Sequence, residues 1–135
     1  MLKEIISTEK SPKAIGPYSQ AVRFNGLVFV SGQIPIEPES GEISKGNIQE
    51  QTKQVLENLK NILAAGGSSL KNVLRTTIFL TNLENYSAVN ETYAKYFDGL
   101  PPARSTVQVS RLPMDAQIEI DVIAGTYTQE NLLDA

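Results

Sequence analysis

The sequence predicts an α+β domain, one sheet carrying two helices in the order β-β-β-α-β-α-β-β. Three observations lead there. Ile48, Val55, Leu59 and Ile62 keep helical spacing between a cap at Asn47 and a stop at Gly66-Gly67. Short runs rich in β-branched and aromatic residues, bounded by Gly, Pro and Asn, recur on either side of that helix. Two helices are too few to cover both faces of so wide a sheet, so one face must meet water or another chain. At 135 residues there is room for one core and not two, so 1–135 is read as a single domain.

Residues 3–8 read as a short strand, and residues 19–24 as a second, after a loop through Ser11-Pro12 and Gly16-Pro17. Asn25-Gly26 is a hairpin signal, because a two-residue type I′ turn needs positive φ at both positions. It leads into residues 27–31, apolar on both faces and therefore expected to be buried, with Ser31-Gly32 ending the strand. Pro35, Pro38 and Gly41 mark an exposed loop. Asn47, with Glu50 three residues on, resembles a capping box for the first helix. Gly66-Gly67-Ser68-Ser69 follows that helix instead of opening one and lacks a Gly-Lys-Ser/Thr ending, so it reads as a helix stop and not a phosphate loop.

Residues 73–81 form the next strand, with Leu74, Ile78 and Leu80 expected on one face and Arg75, Thr77 and Phe79 on the other. A second helix spans 86–97 on the apolar side of Val89, Tyr93 and Phe97, and Asp98-Gly99 with the two following prolines stops it. Strands carrying Arg104 and Glu119 close the domain, and residues 129–135 read as a frayed tail. The face away from the helices is expected to carry Phe79 and Ile123 beside Thr77, Thr106 and Gln108. That mixture is too apolar for plain solvent surface and too polar for a monomer's core. Self-association is the economical answer.

Composition narrows the chemistry. Hydrophobic content of 41% and charged content of 20% describe an ordinary globular chain. A net charge of −3 argues against a general nucleic-acid binder, which needs a concentrated basic face. With no Cys there is no disulfide, thiolate nucleophile or thiolate metal site. With no His, the commonest general base and metal ligand are missing. Acid–base work falls to Asp, Glu, Lys, Tyr or a held water. Met1-Leu2-Lys3-Glu4-Ile5-Ile6 has no apolar core for a signal peptide, and no stretch approaches the roughly 20 apolar residues of a membrane span. A cytoplasmic protein without a membrane partner is the expectation.

The candidate site is built from two strands. Arg104 follows the rigid Pro101-Pro102 pair and opens an alternating run, Ser105 and Val107 against Thr106 and Gln108. Its planar fork of donors suits a carboxylate or phosphate. Glu119 lies between Ile118 and Ile120, with Val122 and Ala124 continuing the apolar parity, so it is an acid on the opposite face of a strand. An anion anchor and an acid sketch a small-molecule site. On residue types alone, a structural ion pair or two solvated side chains explains them more simply.

Pro102-Ala103-Arg104-Ser105, Val107, Leu112 and Ile118-Glu119-Ile120, at these spacings, resemble the signature of the RidA family of enamine/imine deaminases, formerly the YjgF family. So do Ala14-Ile15-Gly16-Pro17-Tyr18-Ser19-Gln20-Ala21, Val30-Ser31-Gly32-Gln33-Ile34-Pro35 and Glu119-Ile120-Asp121-Val122-Ile123-Ala124, and the likeness runs from about residue 3 to 127. The resemblance implies a chorismate-mutase-like fold: a mixed sheet with two helices on one face, assembled as a homotrimer with sites in the clefts between subunits. It implies a strand order with the 73–81 strand between those of Arg104 and Glu119.

It also implies an activity without metal or cofactor: hydrolysis of small imines and enamines of 2-oxo acids to the 2-oxo acid and ammonia. Arg104 would grip the substrate carboxylate, and Glu119 would hold the attacking water or shuttle a proton to ammonia. Tyr18 would wall the pocket, unless it is a loop aromatic packed for stability. Ser31 and Gly32 would offer a hydroxyl and a backbone N–H, unless they form a simple turn. Asn90 would be a pocket amide, unless it faces solvent or packs against a helix. Thr106 stands where many members have Cys, so a thiol role does not transfer, though a backbone contact could survive the change. Two other classes stay open: a non-catalytic 2-oxo-acid-binding regulator, which Arg104 alone would support, and an endoribonuclease or translation inhibitor, which the acidic balance and missing His disfavour.

Overall fold

In the computed structural model, which describes residues 2–127, the strands are β1 (Glu4–Ile6), β2 (Ala21–Phe24), β3 (Leu27–Gln33), β4 (Val73–Leu80), β5 (Ala103–Gln108) and β6 (Ile118–Gly125). The helices are α1 (Ile48–Ala65) and α2 (Tyr86–Tyr96). The strands form one sheet in the order β1-β2-β3-β6-β4-β5. Every pairing is antiparallel except β4 with β5, which makes the sheet mixed. As the order expected from the resemblance requires, β4 lies between β5 and β6. Residues 129–135, expected to fray, lie outside the described residues.

The hairpin at Asn25-Gly26 has φ of 51° and 80°, the left-handed pair that a tight β2–β3 connection demands. At the start of α1 the Asn47 side chain accepts the Glu50 N–H at 2.9 Å, satisfying one of the orphan donors there. One side of α1 is fully buried through Val55, Leu56, Leu59, Ile62 and Leu63, packed against Val28, Val30, Ile78, Ile120 and Val122 of the sheet. The Tyr93 hydroxyl bonds the Thr76 hydroxyl at 2.8 Å inside the core. That bond ties α2 to β4, while Val89 and Phe97 fill the space beside it.

Four strand readings need correction. Leu74 is 54% exposed, not in the core, because the β4–β6 register shifts between Val73 and Arg75 and turns its side chain outward. Val73 and Thr76 are buried instead. Ser31-Gly32 does not end β3; the strand runs on to Gln33 through an irregularity between Val30 and Gln33. Phe29 is exposed, pairing with Ile123 on the face away from the helices.

The fourth correction decides how the site is put together. Thr106 and Gln108 were placed on the open face, yet they pair with Ile78 and Leu80, which are buried under the helices. The Gln108 amide oxygen accepts the Leu83 N–H from the turn that leads into α2. The open face of β5 is Ser105 and Val107, beside Thr77 and Phe79. No helix among the described residues is long and apolar enough to cross a membrane.

Candidate functional site

Arg104 pairs with Thr76, so its side chain leaves β5 on the helix-covered side and at the sheet's edge. There α2 presents Tyr86, Asn90 and Tyr93, spaced at i, i+4 and i+7, as one stripe. The guanidinium carbon lies 4.9 Å from the Tyr93 ring centre and 5.4 Å from that of Tyr86. Two aromatic faces thus confine the cation. One Nη2–H donates to the Tyr86 hydroxyl at 3.0 Å, which leaves the rest of the fork for an anion. Thr106 follows two residues on, partly buried on the same face, and its hydroxyl has no hydrogen-bond partner among the described residues.

Glu119 pairs with Phe79 and therefore points to the open face. It is half-buried at the wall of a cleft of about 530 Å³. Tyr18, Ser31, Gly32, Ile34 and Met114 also line this cleft. Burial raises the Glu119 pKa, and the charge of Asp121 two residues along raises it further. Among the described residues no hydrogen bond or ion pair reaches its carboxyl. Gly32 is needed for space: a Cβ there would sit 2.4 Å from Glu119 Oε2. The interrupted ladder at Ser31-Gly32 brings this stretch of backbone against the acid.

The cleft's outer wall is held from inside. Gln20, 4% exposed, accepts the Thr8 N–H at 2.7 Å and donates to the carbonyls of Thr8, Ser11 and Pro12. This pins the loop that carries Lys13 and Tyr18. The Ser31 hydroxyl donates to the Ser19 carbonyl at 2.6 Å, so its first task is to tether the Tyr18 loop. The Tyr18 ring, 52% exposed, lines the cleft and its hydroxyl accepts the Ile15 N–H. On the rim, Met114 and Asp115 both have positive φ, at 56° and 55°. For a residue as large as Met that is a strained backbone.

The residues singled out in the sequence thus fall into two groups. Tyr18, Ser31, Gly32 and Glu119 converge on the cleft; Arg104, Thr106 and Asn90 gather at the β5–α2 edge. Arg104 and Glu119 make no ion pair with each other. They stand two strands apart and on opposite faces of the sheet, with β4 between them. Their rows are also offset by three residues along β4, from Thr76 to Phe79. Strand spacing and rise put their backbones about 14 Å apart. No three- or four-carbon acid bridges that gap through a sheet. Tyr86, Gln20, Lys13 and Met114 were not singled out. The i, i+4, i+7 stripe was available for Tyr86; the others depend on loop paths that periodicity does not encode.

Chemically, one group offers guanidinium donors of a geometry suited to an anion, and the other a carboxyl of raised pKa in a partly desolvated cleft. Residues 8–126 match the family model described as Endoribonuclease L-PSP. A RutC family protein of Pyrococcus abyssi is 54% identical over 124 residues, covering 92% of this chain and 98% of that one. The 2-iminobutanoate/2-iminopropanoate deaminase of Mus musculus is 44% identical over 124 residues, 92% of each chain. The crystal structure of E. coli TdcF with bound serine is 43% identical, with a TM-score of 0.88, over 92% of this chain and 99% of that one. With this breadth of match, the chain belongs to the RidA/YjgF family, the one whose model carries the L-PSP description.

Proposed function

We propose that this protein is a deaminase that hydrolyses small 2-imino acids and their enamine tautomers, 2-iminopropanoate/2-aminoacrylate and 2-iminobutanoate/2-aminocrotonate, to 2-oxo acids and ammonia. The observation that carries the proposal is Glu119: a half-buried carboxyl with a raised pKa at the wall of a cleft, without a hydrogen-bond or ion-pair partner among the described residues. A structural ion pair would hold the acid charged and occupied; this environment does the reverse. A pKa moved toward the working pH lets one group both take and return a proton. The mouse relative's deaminase name and the serine in the TdcF structure, a small molecule with a carboxylate, support the same substrate class.

In the proposed reaction, Arg104 holds the substrate carboxylate through two parallel N–H donors, fixing both position and orientation. Water adds to the C=N carbon while Glu119 takes one of its protons, and the π pair moves to nitrogen. Glu119 returns that proton to the nitrogen, giving a carbinolamine. The carbinolamine O–H proton then passes through Glu119 to the same nitrogen. The C–N bond breaks, its electron pair leaving on ammonia, and C=O forms. Water enters and ammonia leaves, with no net change in the enzyme. General acid–base help of this kind is worth on the order of 10²–10⁴-fold.

Because Arg104 and Glu119 face opposite sides of the sheet, the proposed site joins the β5–α2 edge of one subunit to the Glu119 cleft of the next, within a homotrimer. The cleft's size supports this. Its roughly 530 Å³ lies in the range of pockets for far larger ligands, leaving room for a neighbouring subunit as well as the substrate. The test is an imine generated in situ by an amino-acid oxidase and followed as 2-oxo acid release. The wild type should accelerate release and Arg104→Ala should not. Equal rates for the two would defeat the assignment. Carboxylate binding without acceleration would favour a regulator, and RNA cleavage lost in Arg104→Ala would favour a nuclease.

A further inference from the structure

Tyr86, at the first position of α2, has a role that the Arg104 and Glu119 assignments leave unaccounted for. Its ring flanks the guanidinium, but a phenylalanine would supply that stack equally well. The hydroxyl is what needs explaining. Tyr93, the other ring against Arg104, is 6% exposed and commits its hydroxyl to Thr76 inside the core. Tyr86 is 42% exposed, so its oxygen stands at the surface beside the open end of the Arg104 fork.

The direction of its hydrogen bonding follows from a donor count. A guanidinium only donates, so in the 3.0 Å bond with Arg104 the phenol oxygen must accept. The Asn90 amide lies against the same oxygen, and together the two neighbours hold the phenol pKa below its usual value. With Arg104 donating to its oxygen, the phenol keeps its own proton to donate. A lowered pKa makes that O–H a stronger donor.

We infer that the Tyr86 hydroxyl donates to the carboxylate of the small 2-imino or 2-oxo acid that Arg104 anchors, adding a third donor to the guanidinium's two. This rests on the proposed function, since it is the carboxylate at Arg104 that Tyr86 completes. A carboxylate offers about four acceptor sites, so a bidentate guanidinium leaves two for other donors. Tyr86 thereby acts as a binding residue that selects for a full carboxylate. The interaction is the same before and during reaction, so it lowers KM and leaves kcat alone.

The experiment is calorimetric titration of 2-oxobutanoate into the assembled wild type, Tyr86→Phe and Arg104→Ala, with steady-state kinetics on the same preparations. Tyr86→Phe keeps the ring and the helix start, and an unchanged melting temperature shows that it folds. It should bind roughly tenfold more weakly, as expected for losing a hydrogen bond to a charged group, with KM raised in step and kcat unchanged. If Arg104→Ala loses binding while Tyr86→Phe stays within twofold of wild type, this inference falls and the proposed function stands. If Arg104→Ala binds as wild type does, the anchor is misplaced and both fall.

Discussion

Replacing Gly32 by alanine tests whether the position of the Glu119 carboxyl matters, as distinct from its presence. The new Cβ would lie 2.4 Å from Oε2 and 2.8 Å from Cδ of Glu119, where ordinary contact begins near 3.4 Å. The carboxyl must therefore retreat by about 1 Å, a misplacement that costs catalysis on the order of 10²-fold. The fold should feel much less. Gly32 does not occupy a left-handed φ, so alanine brings no backbone strain. The atoms it meets are the far end of a flexible side chain, which can leave its rotamer for about 0.5–1.5 kcal/mol. The assay pairs 2-oxo acid release with urea unfolding of the same protein. We expect kcat/KM to fall about 100-fold while stability drops by no more than about 1.5 kcal/mol. Wild-type kcat/KM in Gly32→Ala would refute the reasoning, and so would an activity loss that tracks unfolding.

Two further outcomes follow. The Glu119 pKa is raised in the folded state, first by burial and then by Asp121. Its stabilising contribution is therefore fully present below the ordinary carboxylate pKa and is lost as pH rises through the folded value. Glu119→Gln should raise the melting temperature near pH 7 and leave it unchanged near pH 4; a uniform shift at both would contradict the desolvation argument. Tyr93→Phe leaves the buried Thr76 hydroxyl without its partner at 2.8 Å. It should cost about 1–3 kcal/mol in chemical denaturation, and a neutral result would mean that this bond does not hold α2 to the sheet.

The readable and unreadable parts of the sequence divide along a physical line. Helix α1 and the β2–β3 hairpin were legible because each is written locally: an Asn47 cap with a periodic apolar stripe, and two positive-φ residues at Asn25-Gly26. The parity of β6 was equally plain, since Ile118, Ile120, Val122 and Ala124 alternate without interruption and all are buried. Leu74 was misplaced because a one-residue register shift reverses parity, and nothing in the local pattern announces it. Thr106 and Gln108 were assigned to the wrong face because β5 has no decisive apolar side. Only its pairing with Ile78 and Leu80 settles the matter. The same pairing shows that Arg104 and Glu119 lie on opposite faces, which residue types and spacing did not.

Co-assembly of two inactive chains probes the joined site most directly. Arg104→Ala keeps the Glu119 cleft intact, and Glu119→Gln keeps the Arg104 edge. In a cyclic assembly of equal parts mixed at random, about a quarter of the junctions would unite one intact half from each. Unfolded together and refolded as mixed oligomers, the two should recover about a quarter of wild-type deaminase activity. Activity no greater than the sum of the two parents assayed alone would contradict a site shared between subunits.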